Sequence, residues 1–126
     1  MIIQLPLYVE LGKIKIKRHY INVNSYRNWH HRVSNNIKIE YKRQVSPQLK
    51  GLNFERVSLR YVYYKPTARK VDLGNVLSIT DKFFSDALVE NGCLADDNCY
   101  YIPEITFKYG GIDRDNPRVE VTINGL

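Results

Sequence analysis

Four aspartates and a lysine in the second half of the chain have the types and spacing for metal-assisted chemistry. Asp72 stands just before a helical run, Lys82 and Asp86 lie one turn apart within it, and Asp96 and Asp97 follow it side by side. Adjacent carboxylates raise one another's pKa unless a cation or a strong set of hydrogen bonds holds them. A hard divalent ion supplies that relief, and Mg²⁺ prefers oxygen ligands. On a chain with 19 Lys and Arg against 13 Asp and Glu, such a site points to phosphodiester chemistry. There a metal polarises the phosphate and activates water while a lysine steadies developing charge. The same residues also fit a plainer arrangement, a solvated helix flank with an i, i+4 ion pair worth a few tenths of a kcal/mol, followed by an ordinary turn.

These residues are positioned by a helix expected from Leu73 to Asn91 and ended at Gly92. On a wheel of 100° per residue, Val76, Leu77, Ile79, Phe83, Phe84, Ala87 and Leu88 form the buried side. Asn75, Lys82 and Asp86 fall within about 40° of one another on its border. Asp72 occupies the expected N-cap.

The rest of the chain reads as strands around two helices. A strand is expected over 2–10, with Pro6 at an edge or bulge, and a short ribbon over Lys13–Lys17. A helix capped by Ser25 is expected to run to about Gln44, closed by Pro47 and Gly51, with Trp29, Val33, Ile37 and Tyr41 as its core stripe. Alternation over 54–64 predicts a strand with one buried face, and further strands are expected near 100–109 and 118–123. The tyrosines of the first of these, Tyr61, Tyr63 and Tyr64, read as core rather than as platforms for bases. The order β(β)αβαββ defines an α+β fold, with a mixed, mostly antiparallel sheet and one domain over residues 1–126.

The formal charge of +6 favours a polyanionic partner. Arg27, His30, Lys38 and Lys42 form a candidate face for phosphate contact, and Arg69 and Lys70 extend it through the basic loop KPTARK. His30 and His31 point about 100° apart on a helix and cannot share a metal in the i, i+4 manner; one is expected to pack. Two cysteines without a nearby histidine fit a reduced, cytoplasmic protein, and no apolar stretch reaches the roughly 18 residues of a membrane span. The D-R-D-N at 113–116 precedes a proline and a strand, which makes it a turn.

The stretch RKVDLGNVLSITDKFFSDALVENGCLADDN resembles the core of the RusA family of Holliday-junction resolvases. Asp72, Leu73 and Asn75 match the family's opening motif; Lys82, Asp86, Ala87 and Leu88 its middle; and Gly92, Asp96 and Asp97 its close. Upstream, NVNSYRNWHH is similar to a segment of phage-type members, which adds Asn24 and Tyr26 to the DNA-binding candidates. The resemblance implies a homodimeric, Mg²⁺-dependent endonuclease, with Mn²⁺ as a possible substitute, cutting four-way DNA junctions by symmetric incisions in a bacterial cell. It assigns catalysis to Asp72, Asp97 and Lys82, and metal binding to Asp72, Asp96 and Asp97. Gly74 stands where the family has a second aspartate. Asp81, Asp86 or Glu104 can supply the replacement oxygen, with Asp86 preferred because it shares a face with Lys82.

Distance sets a further expectation. A continuous helix from Asp72 to Asn91 rises about 28 Å, and six residues can return at most about 20 Å. The helix is therefore expected to bend or break near Ser78–Thr80, or the site to combine carboxylates from two subunits. The rivals to a nuclease are a non-catalytic junction-binding protein that has lost a ligand at Gly74, and a small domain whose basic surface binds an acidic protein.

Overall fold

Alternation along Val57–Lys65 sends Val57, Leu59, Tyr61 and Tyr63 to one buried side, and this strand lies inside a four-stranded sheet. The structure, a computed structural model, describes residues 1–126. Its elements are β1 (Ile2–Leu5), β2 (Tyr8–Leu11), β3 (Lys17–Tyr20), α1 (Val23–Tyr26), α2 (His31–Leu49), β4 (Val57–Lys65), α3 (Leu73–Glu90), β5 (Glu104–Ile112) and β6 (Arg118–Gly125). The strand order is β1-β6-β4-β5. β6 is antiparallel to β1 and β4, while β5 runs parallel to β4 because α3 crosses over between them. The α+β class and the mostly antiparallel mixed sheet agree with the sequence reading.

The helices pack on one face of the sheet, where Leu5, Leu59, Tyr61, Val119 and Val121 meet Ile37, Tyr41, Leu77, Phe83, Phe84 and Leu88 in a single core. Every apolar position assigned to the buried side of α3 is buried. The opposite face, with Arg60, Thr106 and Lys108, stays open to solvent.

Several boundaries differ from expectation. Pro6 splits the first strand in two, so that β1 joins the main sheet while β2 leaves it to pair with β3 in a separate ribbon. The ribbon strand is Lys17–Tyr20, and most of KIKIK is its turn. The first long helix is divided: α1 is capped by Asn22, whose Oδ1 accepts from the Ser25 N–H at 2.8 Å, and α2 starts afresh after His30. Ser25 is therefore not the cap. Pro47 lies inside α2, which continues to Leu49. Trp29 precedes α2 and is partly buried beside Tyr26 and Phe83, whereas Ile37, Tyr41, Val45 and Leu49 make the helix's core stripe.

The expected break in α3 does not occur: the helix is continuous over 18 residues. Ser78 and Thr80 bond back to the carbonyls of Gly74 and Val76, satisfying their hydroxyls without interrupting the ladder. Gly92 then ends the run at φ +71°, and Cys93 turns into the core, where its thiol donates to the Leu49 carbonyl at 3.4 Å. Cys99 is exposed.

Candidate functional site

The unbroken helix divides the predicted site residues into two groups. At its N-terminal end, Asp72 holds the N-cap position without a side-chain capping bond. Its neighbours are set by Asn75, whose Oδ1 accepts from the Val23 N–H at 3.1 Å and so ties α1 to the start of α3. This bond brings Asn22 and Asn24 beside Arg69, Lys70 and Asp72 around an open groove of about 450 Å³. The basic loop is braced from β4, where Lys65 donates to the Arg69 carbonyl at 2.9 Å.

The second group lies along the middle of α3. Asp81 faces the sheet, half-buried, and its Oδ1 accepts from the Tyr61 hydroxyl at 2.6 Å and from the Ser85 hydroxyl at 3.1 Å. Burial raises its carboxyl above the usual range; the two hydroxyls oppose that rise and the charge of Asp97 adds to it. Asp97 reaches this region because the loop after Gly92 folds back along the helix. Its own carboxyl is raised by partial shielding, then by the charge of Asp86 and by neighbouring Asp96. Asp97 is thus the acid that acts on Asp81 and is acted on by Asp86.

Asp96 has a different task. Its Oδ1 accepts from the Asp97 N–H at 2.7 Å and its Oδ2 from the Asn98 amide at 3.2 Å, so that both oxygens shape the loop. Asp81 and Asp86 lie nine and fourteen residues beyond Asp72, or about 14 and 21 Å along the axis. Asp72 is accordingly remote from the carboxylates that feel Asp97. Within one chain no three His, Cys, Asp or Glu side chains converge tightly enough to hold a metal ion.

The cations are also arranged differently from the sequence reading. Lys82 makes no ion pair with Asp86; its ammonium lies 5.2 Å from the Tyr26 ring, with Lys38 at 6.0 Å from the same ring. Tyr26 is a partly buried packing residue against Trp29 and Phe83, flanked by two cations. Lys42 is engaged by Glu90 at 2.8 Å, while Arg27 is exposed. Neither histidine packs in the core: both are exposed, with ring centroids 4.4 Å apart. His30 caps α2 through Nδ1, which accepts from the Arg32 N–H at 3.3 Å.

Tyr61 and Tyr63 are core residues, and Tyr64 lies under the Arg118 guanidinium at 4.1 Å. Asp113 accepts from the Asn116 N–H at 3.0 Å and from Arg118 at 2.9 Å, which makes 113–116 the turn its proline indicated.

Sequence reasoning gave Asp81 only as one of three substitute acids and preferred Asp86. The signal for Asp81 is its place on the buried arc of the α3 wheel, where an acid needs a partner from another element. The chain matches no family model and no curated protein. No helix is long and apolar enough to cross a membrane.

Proposed function

We propose that the chain is a Mg²⁺-dependent, structure-selective endodeoxyribonuclease acting on four-way DNA junctions as a homodimer. The observation that supports this reading is that Asp97, from the loop after α3, raises the Asp81 carboxyl and is itself raised by Asp86, on a chain of net charge +6. The donor set suits the ion: carboxylate oxygens only, with Oδ2 of Asp81 free of hydrogen bonds and a mutual repulsion that a cation relieves. No three acids of one chain converge on a metal site. Asp97, with Asp81 or Asp86 beside it, would therefore hold Mg²⁺, or Mn²⁺ in its place, only together with a carboxylate of a second subunit. The bound ion would polarise the scissile phosphate and activate water. Tyr61 and Ser85 orient Asp81, while Lys82, on the same helix face as Asp86, stabilises charge on the phosphate. Arg69, Lys70, Asn24 and Arg27 bind the DNA backbone near the far end of α3.

Because α3 is unbroken, Asp72 can join Asp97 at one metal only if it comes from a second subunit. The surface that fits a second copy is β5, a nine-residue edge strand that exposes Ile105 and Tyr109. Antiparallel self-pairing centred on Thr106 would set Glu104 against Lys108 of the partner subunit, twice. The other edge, β1, is blunted: Gln48 donates to the Gln4 carbonyl at 2.8 Å and accepts from its N–H at 3.0 Å. Glu104→Lys or Lys108→Glu alone should dissociate the dimer and the two together restore it, as read by light-scattering mass. A mass unchanged by all three variants rejects this interface.

The activity is tested with a synthetic four-way junction and a linear duplex of the same sequence, with and without Mg²⁺, using wild type and Asp97→Asn. Paired nicks on the junction that need the metal and vanish in the variant are the expected result. Metal-independent retardation without cutting would leave the chain a junction-binding protein. No interaction at moderate salt would overturn both readings.

A further inference from the structure

The β2–β3 ribbon stands apart from the main sheet and ends in a tip that packs against nothing. Its base is braced by stacking of Tyr8 on Tyr20 at 5.3 Å, by Arg18 over the Tyr8 ring at 4.6 Å, and by burial of Val9 and Ile21 in the core. The turn needs glycine at position 12: φ is +129°, and a Cβ there would collide with the Lys15 carbonyl oxygen. Beyond this rigid base, Ile14 is fully exposed and Ile16 is 62% exposed. Lys13, Lys15, Lys17 and Arg18 surround them, and only Arg18 has an acidic neighbour, Glu10 at 3.7 Å.

Bare isoleucines interleaved with lysines make sense against a partner that offers both anions and apolar flat surfaces. We propose that this tip is a DNA wedge: Ile14 and Ile16 insert against unstacked bases at a branch point while Lys13, Lys15 and Lys17 neutralise the flanking phosphates. The inference rests on the branched-DNA reading above and adds the element that would select branches over plain duplex. A two-stranded ribbon, with strands about 5 Å apart, fits a DNA groove about 12 Å wide. Apolar side chains inserted at base steps are a general means of holding distorted DNA, and an open branch removes most of the unstacking cost. The chemical rival is an anionic lipid surface, but two isoleucines on a narrow turn offer far less apolar area than a membrane-bound amphipathic helix.

The test uses the full chain in EDTA, so that binding is measured without cleavage. Labelled four-way junction and matched duplex are titrated with wild type, with Ile14→Ser/Ile16→Ser and with Lys13→Gln/Lys15→Gln, over a series of salt concentrations. Ile14 and Ile16 are exposed and lie outside the core, and thermal melts verify that each variant folds. The isoleucine pair is expected to cost about tenfold in junction affinity, with duplex affinity and salt slope unchanged. The lysine pair should weaken both substrates and lower the salt slope by about 2. A junction preference that survives loss of both isoleucines overturns the wedge, even if the protein cuts junctions. Isoleucine-dependent binding to phosphatidylserine vesicles, with no preference for the junction, replaces it with a membrane contact. Failure of wild type to bind either DNA overturns the wedge and the proposed function together.

Discussion

Asp81 and Asp72 lie nine residues apart on the same helix in opposite surroundings. Asp81 faces the sheet, half-buried, with two hydroxyls on one oxygen and Asp97 close enough to raise its carboxyl. Asp72 is exposed at the helix start, and its side chain makes no capping bond. The contrast shows that an acid's character here is set by elements far away in sequence. Tyr61 comes from β4 and Asp97 from the loop before β5, whereas Asp72 opens onto the groove beside Asn22, Arg69 and Lys70 without a capping bond.

The largest effect that sharpens this contrast is expected at Tyr61. Tyr61→Phe removes a hydroxyl donating to a carboxylate and should cost about 1.5–3 kcal/mol in urea unfolding. Tyr41 is the internal control, because its hydroxyl is equally buried but has no hydrogen-bond partner. Tyr41→Phe should leave stability unchanged or raise it by up to about 1 kcal/mol, since an unsatisfied polar group is removed. Equal changes for the two variants would show that the Tyr61 hydroxyl gains nothing from its bond to Asp81.

The second effect is a pH dependence with a definite sign. Asp81 has a raised carboxyl pKa in the folded chain, chiefly through burial, so the native state binds its proton more readily than the unfolded state. Its ionisation therefore costs stability above the folded pKa, and that cost is relieved as pH falls through the folded value toward the ordinary carboxylate range. Urea midpoints of wild type should improve relative to Asp81→Asn as pH is lowered from 7 into this window. Parallel profiles would remove the claim that burial governs Asp81.

Smaller effects are expected at the helix start. A Cβ at Gly74 would meet nothing within 4 Å, so Gly74→Ala should stabilise the chain by about 0.5–1 kcal/mol through helix propensity alone. Gly74 is thus not demanded by packing, and an acid can occupy the position. Asp72→Ala should change stability by less than about 0.5 kcal/mol, because no capping hydrogen bond is lost. A loss above 1 kcal/mol would mean that Asp72 caps the helix in solution.

What could be read in advance follows the range of the forces involved. Apolar spacing of 3.6 on α3 and of 2 on β4 located the core residues, because those periods are local properties of one element. The role of Asp81 was not legible, since its partners Tyr61 and Asp97 are brought together only by the parallel pairing of β4 with β5. The split between α1 and α2 was also hidden: the cap of α2 is a histidine, and the bond that holds α1 comes from Asn75 on another helix. Pro47 misled for a simpler reason. A proline removes only one backbone bond, and packing of Val45 and Leu49 carries α2 past it. The distance between Asp72 and the carboxylates near Asp97 was predictable in kind, because helix rise is fixed.

The two cysteines give the loop that carries Asp97 an experimental handle. Cys93 is sealed in the core, whereas Cys99 is exposed two residues beyond Asp97. A thiol-reactive fluorophore added to the native chain would mark that loop alone, without mutagenesis. Its emission would then report, in real time, whether a cation or a strand of DNA arrives beside Asp97.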